Sequence, residues 1–201
     1  GPSVAGMHFM IDPLHRIDIE NIESLIDQQR YFVLHAPRQT GKTTCLLALM
    51  HHLNARPTYR ALYVNIEAAQ AARGDVEAGV AAMCSAMTNA ARLYLHDAAL
   101  AQWLYHGEGA SAPATDRLAS LLAHWSQHDP QHPDQPRPTV LLLDEVDALV
   151  GDTLISLLRQ IRAGYAQRPG AFPQTIILCG VRDVRDYRIH TAHHEIITGG
   201  S

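Results

Sequence analysis

Ala36-Pro37-Arg38-Gln39-Thr40-Gly41-Lys42-Thr43 stands between a short apolar run, Tyr31-Phe32-Val33-Leu34-His35, and a segment in which Cys45, Leu46, Leu49, Met50 and Leu53 recur at helical spacing. The order is therefore buried strand, Gly-containing loop, helix, with Pro57 closing the helical segment. Except for Ala36, where the pattern has Gly, these eight residues fit a phosphate-binding loop. The chemistry follows from the geometry. Backbone N–H groups of such a loop converge at a helix N-terminus, where unpaired donors and the helix dipole favour an anion. Lys42 would bridge the β- and γ-phosphates of a nucleotide, and the Thr43 hydroxyl would ligate Mg²⁺. Thr44 follows on the same first turn. Arg38 and Gln39 are expected as exposed shoulder residues with no chemistry of their own. If Ala36 needs a positive φ, its Cβ costs about 1 to 2 kcal/mol and loosens binding without abolishing it.

Charge composition sharpens that reading. Lysine and arginine total 16, of which Lys42 is the only lysine. A chain that otherwise uses arginine keeps its one compact ammonium inside the loop motif.

Downstream, Leu141-Leu142-Leu143-Asp144-Glu145 is an apolar strand ending in adjacent carboxylates, in the manner of a Walker B element. Alone, two acids at a strand end are usually a solvated terminus. Paired with a phosphate loop they take roles: Asp144 on the hydration shell of Mg²⁺, Glu145 as the group that orients and polarises an attacking water.

The remaining pattern alternates. Ala61 to Ile66 reads as a second strand, and Asp75 is a suitable N-cap for a helix carrying Val76, Val80, Met83, Met87 and Ala91. Leu118, Leu121, Leu122 and Trp125 mark a helix behind Thr115, Thr139 to Leu143 a third strand, Leu154 to Ile161 a helix from near Asp152, and Thr175 to Leu178 a fourth strand. Asp129 to Pro138 holds four prolines and reads as an exposed connector. Alternating apolar strands and amphipathic helices predict an α/β fold, a three-layer α/β/α arrangement around a mainly parallel sheet. Residues 1–6, opening on a Gly1-Pro2 cleavage scar, read as a tag remnant or flexible N-terminus; 7–190 as the nucleotide-binding domain; 191–201 as a polar tail, apparently truncated.

Composition bounds the function class. A net charge of −4 gives no basic footprint for nucleic acid, and no apolar run is long enough to span a bilayer. Cys45, Cys84 and Cys179 are widely spaced among apolar neighbours, which suits core thiols and a cytoplasmic location. Thirteen histidines invite a metal reading, but His51-His52 and His193-His194 are adjacent and diverge on regular structure.

APRQTGKTT, LLLDEVDAL and TIILCG together resemble the AAA+ and related STAND classes of P-loop ATPases, and DEVDAL resembles their origin-recognition and archaeal-type branch. The resemblance implies a sheet ordered 5-1-4-3-2, with Lys42 after strand 1 and Asp144 after strand 3, and an adenine-side role for Arg16 in PLHR. Two departures stand out. The fourth strand ends Cys179-Gly180-Val181-Arg182, without the Asn or Thr sensor of that class, leaving Arg182, Arg185 and Arg188 as sensor or finger candidates or, with Asp183 and Asp186, as a salt-bridged face. The helical lid that follows the sheet in AAA+ proteins is not legible.

The expected function is an ATP- and Mg²⁺-binding ATPase whose hydrolysis drives a conformational or assembly switch, partnered by a protein or by copies of itself. A non-catalytic, nucleotide-gated interaction module is the alternative. A GTPase is disfavoured because its guanine-reading segment needs a second lysine, and a small-molecule kinase because Asp144-Glu145 activates water.

Overall fold

The computed structural model describes residues 13–35 and 41–180. Four parallel strands, β1 (Phe32–His35), β2 (Arg60–Asn65), β3 (Thr139–Asp144) and β4 (Thr175–Gly180), form one sheet in the order β1-β4-β3-β2. This is the 1-4-3-2 portion of the expected order. The fifth strand of that expectation is not among the described residues.

Helices cover both faces, so the strands carry apolar residues on both sides instead of alternating with polar ones. On one face α1 (Ile19–Asp27) and α2 (Lys42–Asn54) pack Ile26, Leu46, Leu49 and Leu53 against Ala61, Tyr63, Leu142 and Ile177. The opposite face carries α3 (Val76–Leu95), α4 (Ala99–His106), α5 (Ala114–Gln127) and α6 (Gly151–Ala163), whose Met83, Met87, Leu121, Trp125 and Leu157 meet Leu62, Val64, Leu141 and Ile176. Three layers result. All three cysteines are buried within them. None of the described helices is long and apolar enough to cross a membrane.

Local chemistry sets the element ends. Asp18 accepts a hydrogen bond from the Asn21 N–H at 3.1 Å to start α1, and Asp75 accepts from the Ala78 N–H at 3.0 Å to start α3, as its sequence position predicts. At β2, the outer edge is met by side chains of α2: the Asn54 amide exchanges two hydrogen bonds with the Ala61 backbone, at 2.8 and 2.9 Å, and Met50 Sδ accepts the Tyr63 N–H at 3.3 Å.

Two features depart from the sequence reading. Helix α4 has no counterpart there; it is short, and its start is held by Asp97, whose Oδ1 accepts from the N–H groups of Ala99 and Leu100 at 3.1 and 3.2 Å. The 129–138 connector lacks helix and strand, as expected, but it is not wholly exposed. Asp129 is buried and takes two hydrogen bonds from Arg137, at 2.7 and 3.2 Å. Beside it the buried Arg60 guanidinium pairs with Asp97 and donates to the carbonyls of Trp125 and His128, at 3.1 and 2.8 Å. One cation thereby ties the start of β2 to the turn before α4 and to the end of α5.

Candidate functional site

The C-terminal ends of β1 and β3 and the start of α2 come together on one edge of the sheet. Gly41 immediately precedes α2 with φ 79° and ψ 26°, a left-handed conformation that strains any residue bearing a Cβ, so glycine at this point of the loop has a backbone reason. Lys42 is the first residue of α2, followed by Thr43 and Thr44, both exposed. The first N–H groups of a helix have no intrahelical acceptor, which leaves this turn with donors to offer.

Three donors converge on Asp144, which is fully buried at the end of β3. Thr43 Oγ1 donates to Asp144 Oδ2 at 2.8 Å, the Tyr63 hydroxyl donates to the same oxygen at 3.0 Å, and the Glu145 N–H donates to Oδ1 at 3.0 Å. The register explains the reach of Tyr63. Asn65 lies opposite Asp144 and Tyr63 opposite Leu142, so Tyr63 and Asp144 share a sheet face as diagonal neighbours on adjacent strands.

Lys42 is 9% exposed, and its ammonium nitrogen finds no hydrogen-bond partner among the described residues. A buried cationic donor without an acceptor is costly unless an anion meets it. Its surroundings are acidic. Burial raises the affinity of Glu145 for a proton, the charge of Lys42 opposes that rise, and Asp144, Asp147 and Glu67 reinforce it. Glu145 also adopts a left-handed backbone, φ 61° and ψ 37°, which a residue with a side chain occupies only where its surroundings impose it.

Asp147 Oδ1 is likewise buried and unpaired among the described residues, and a Cβ at Gly180 would come within 2.9 Å of it. Next to these carboxylates an open cleft of about 630 Å³ is lined by Glu67, Gln70, Arg73, Asp147 and Val150. Neither Lys42 nor Asp144 lines this cleft. At the end of β4, the thiol of Cys179 is pushed up to about 12 by burial first, then by Asp144, with Lys42 pulling the other way.

Of the residues singled out in the sequence, Lys42, Thr43, Asp144 and Glu145 are brought together. Arg16 ends a short turn, Pro13–Arg16, whose Pro13 carbonyl accepts a hydrogen bond from Cys45 Sγ at 3.3 Å, so this turn lies against α2. Ala36, Pro37, Arg38, Gln39 and Thr40 lie outside the described residues, as do Arg182, Arg185, Arg188, His193 and His194. Tyr63 and Asn65 were not singled out. Asn65 turns its Oδ1 to the Glu67 N–H at 2.8 Å, steering the chain away at the end of β2.

A family model described as "AAA domain" matches residues 22–187. No curated protein matches the chain. Among solved structures, the crystal structure of Cdc6p from Pyrobaculum aerophilum is similar at 19% identity with a TM-score of 0.52, over 90% of this chain and 42% of that one. The chain spans under half the length of that protein, and the likeness is one of fold.

Proposed function

Since this chain belongs to the AAA domain family of P-loop ATPases, we propose that residues 7–190 bind ATP with Mg²⁺ and hydrolyse the γ-phosphate to drive a conformational or assembly switch, acting with a protein partner or with further copies of the chain. One observation carries the reading. Thr43 of the loop motif and Asp144 of the strand-end motif meet at 2.8 Å, and the chain's single lysine lies buried beside them, its ammonium unpaired among the described residues.

The residues fit both groups. An unpaired buried ammonium asks for an anion, and a hydroxyl beside a carboxylate is a set of hard oxygen donors suited to Mg²⁺. Thr43 and Asp144 would hold the ion directly and through water, and bound Mg²⁺ would neutralise phosphate charge. Lys42 stabilises negative charge on the β- and γ-oxygens. Glu145, its proton affinity raised by burial, orients the attacking water and accepts its proton. Arg16 contributes at the adenine side, and Gly41 and Thr44, with residues 36–40, supply the loop.

Phosphate release by the wild type and by Glu145→Gln, measured beside ATP affinity, tests the proposal: turnover in the wild type, lost in the variant with binding kept, supports it. A non-catalytic, nucleotide-gated module is the second reading, favoured by Cys179-Gly180 ending β4 with a buried thiol where this class has a polar sensor. Tight ATP binding without phosphate release would select that reading.

A further inference from the structure

The acceptor sites of Asp144 are nearly all accounted for. A carboxylate offers about four lone-pair directions, two per oxygen. Thr43 and Tyr63 take both on Oδ2, and the Glu145 N–H takes one on Oδ1. We propose that Tyr63 is a positioning residue for Mg²⁺: by filling the second site of Oδ2 it fixes the rotation of the Asp144 carboxylate that would hold the ion. The inference rests on the nucleotide reading above.

Tyr63 is built to hold still. It is 5% exposed, its N–H is taken by Met50 Sδ, and its ring packs edge-to-face on Tyr94 with centroids 6.2 Å apart. Without the phenol, Asp144 Oδ2 keeps Thr43, a residue that must itself face the ion. The carboxylate would then lose one of the bonds that hold its rotation. Partners that orient a metal's ligands typically change metal affinity by about 10- to 100-fold when removed.

Tyr63→Phe isolates the hydroxyl, because the ring still fills its space. ATP affinity is measured by calorimetry with saturating Mg²⁺ and with excess chelator, for the wild type, Tyr63→Phe and Thr43→Val, together with melting temperature. The Mg²⁺ enhancement of ATP affinity should fall about tenfold in Tyr63→Phe, with metal-free affinity unchanged. If Thr43→Val loses the enhancement and Tyr63→Phe keeps it, the nucleotide reading stands and the role of Tyr63 is refuted. Equal losses with and without Mg²⁺ in Tyr63→Phe, or a melting point too low for folded protein, would also refute it, because the phenol would then be serving the fold. A wild type whose ATP affinity ignores Mg²⁺ overturns the nucleotide reading and this inference with it.

Discussion

The Thr43 hydroxyl and the Asp144 carboxylate, 101 positions apart in sequence, share a 2.8 Å hydrogen bond that joins the start of α2 to the end of β3. The contact exists because β1 and β3 flank the same strand, β4, and all run parallel, so their C-terminal ends emerge on one edge. The start of α2 and the acids at the end of β3 face each other by topology alone. Ligands of open parallel sheets bind along that edge.

Lys42 gives the most direct check on this edge, because no other lysine competes for a label. Mg-ATP should shield its amine from acylation, with peptide mass spectrometry separating it from the N-terminal amine. Lys42→Ala should weaken ATP binding by about 10- to 100-fold, the equivalent of a charge-assisted contact of about 1.5 to 3 kcal/mol. Equal labelling rates with and without saturating Mg-ATP would remove Lys42 from the phosphate site.

Glu145 combines a chemical role with a conformational cost. Glu145→Gln should lower phosphate release by about 10² to 10⁴ and spare ATP affinity. Glu145→Gly should lose turnover equally but unfold later in urea, by about 1 kcal/mol relative to Glu145→Gln, since glycine takes the left-handed backbone without penalty. A glycine variant less stable than the glutamine variant would mean that contacts of the side chain outweigh the backbone strain.

Arg60 should matter to stability alone. Arg60→Met leaves the buried Asp97 carboxylate without its cation and two carbonyls without a donor, at a cost of about 3 to 5 kcal/mol. Arg137 still holds Asp129, which limits the damage. Urea denaturation reads the difference, and a loss under about 1 kcal/mol would show that solvent replaces the network readily.

Acid sensitivity should begin at His124. Its ring stacks between Trp103, at 4.3 Å, and His128, at 3.9 Å, and burial first, then the neighbouring His128, lowers its pKa from 6.5 to about 4, while Asp97 opposes the shift. Between those two values the unfolded chain binds the proton and the folded chain does not. Stability should therefore fall as the pH drops from about 6.5 to about 4. His124→Phe keeps an aromatic ring in the stack and should flatten the melting-temperature profile across that window. An unchanged slope would place the acid response elsewhere.

How much of this the sequence carries depends on whether the relevant partner is local. The strand–loop–helix around Lys42, the cap at Asp75 and the apolar strand before Asp144 depend on residues a few positions apart, and they are legible there. Tyr63 was hidden because an aromatic residue in an apolar strand reads as packing; its hydroxyl gains meaning only from the pairing of Asn65 with Asp144. Arg60 was hidden for a similar reason, since its partners come from two distant turns. Helix α4 is only 8 residues long, too short for periodicity to declare it, and the signal available was Asp97 two residues ahead of it. The proline-rich run after Asp129 correctly excluded helix and strand, but composition says nothing of which acid in it turns inward.

The Asn54 amide at the margin of β2 has a consequence for aggregation. Unpaired strand margins are templates for intermolecular β-pairing, and a side chain that imitates a neighbouring strand's N–H and C=O leaves Ala61 nothing to offer a second molecule. Because Met50 also satisfies the Tyr63 N–H, a foreign strand would have to displace both side chains before it could zip onto this flank. Crowded conditions that drive β-mediated self-association thus meet a kinetic barrier on the β2 flank, built from two residues of the very helix that begins at Lys42.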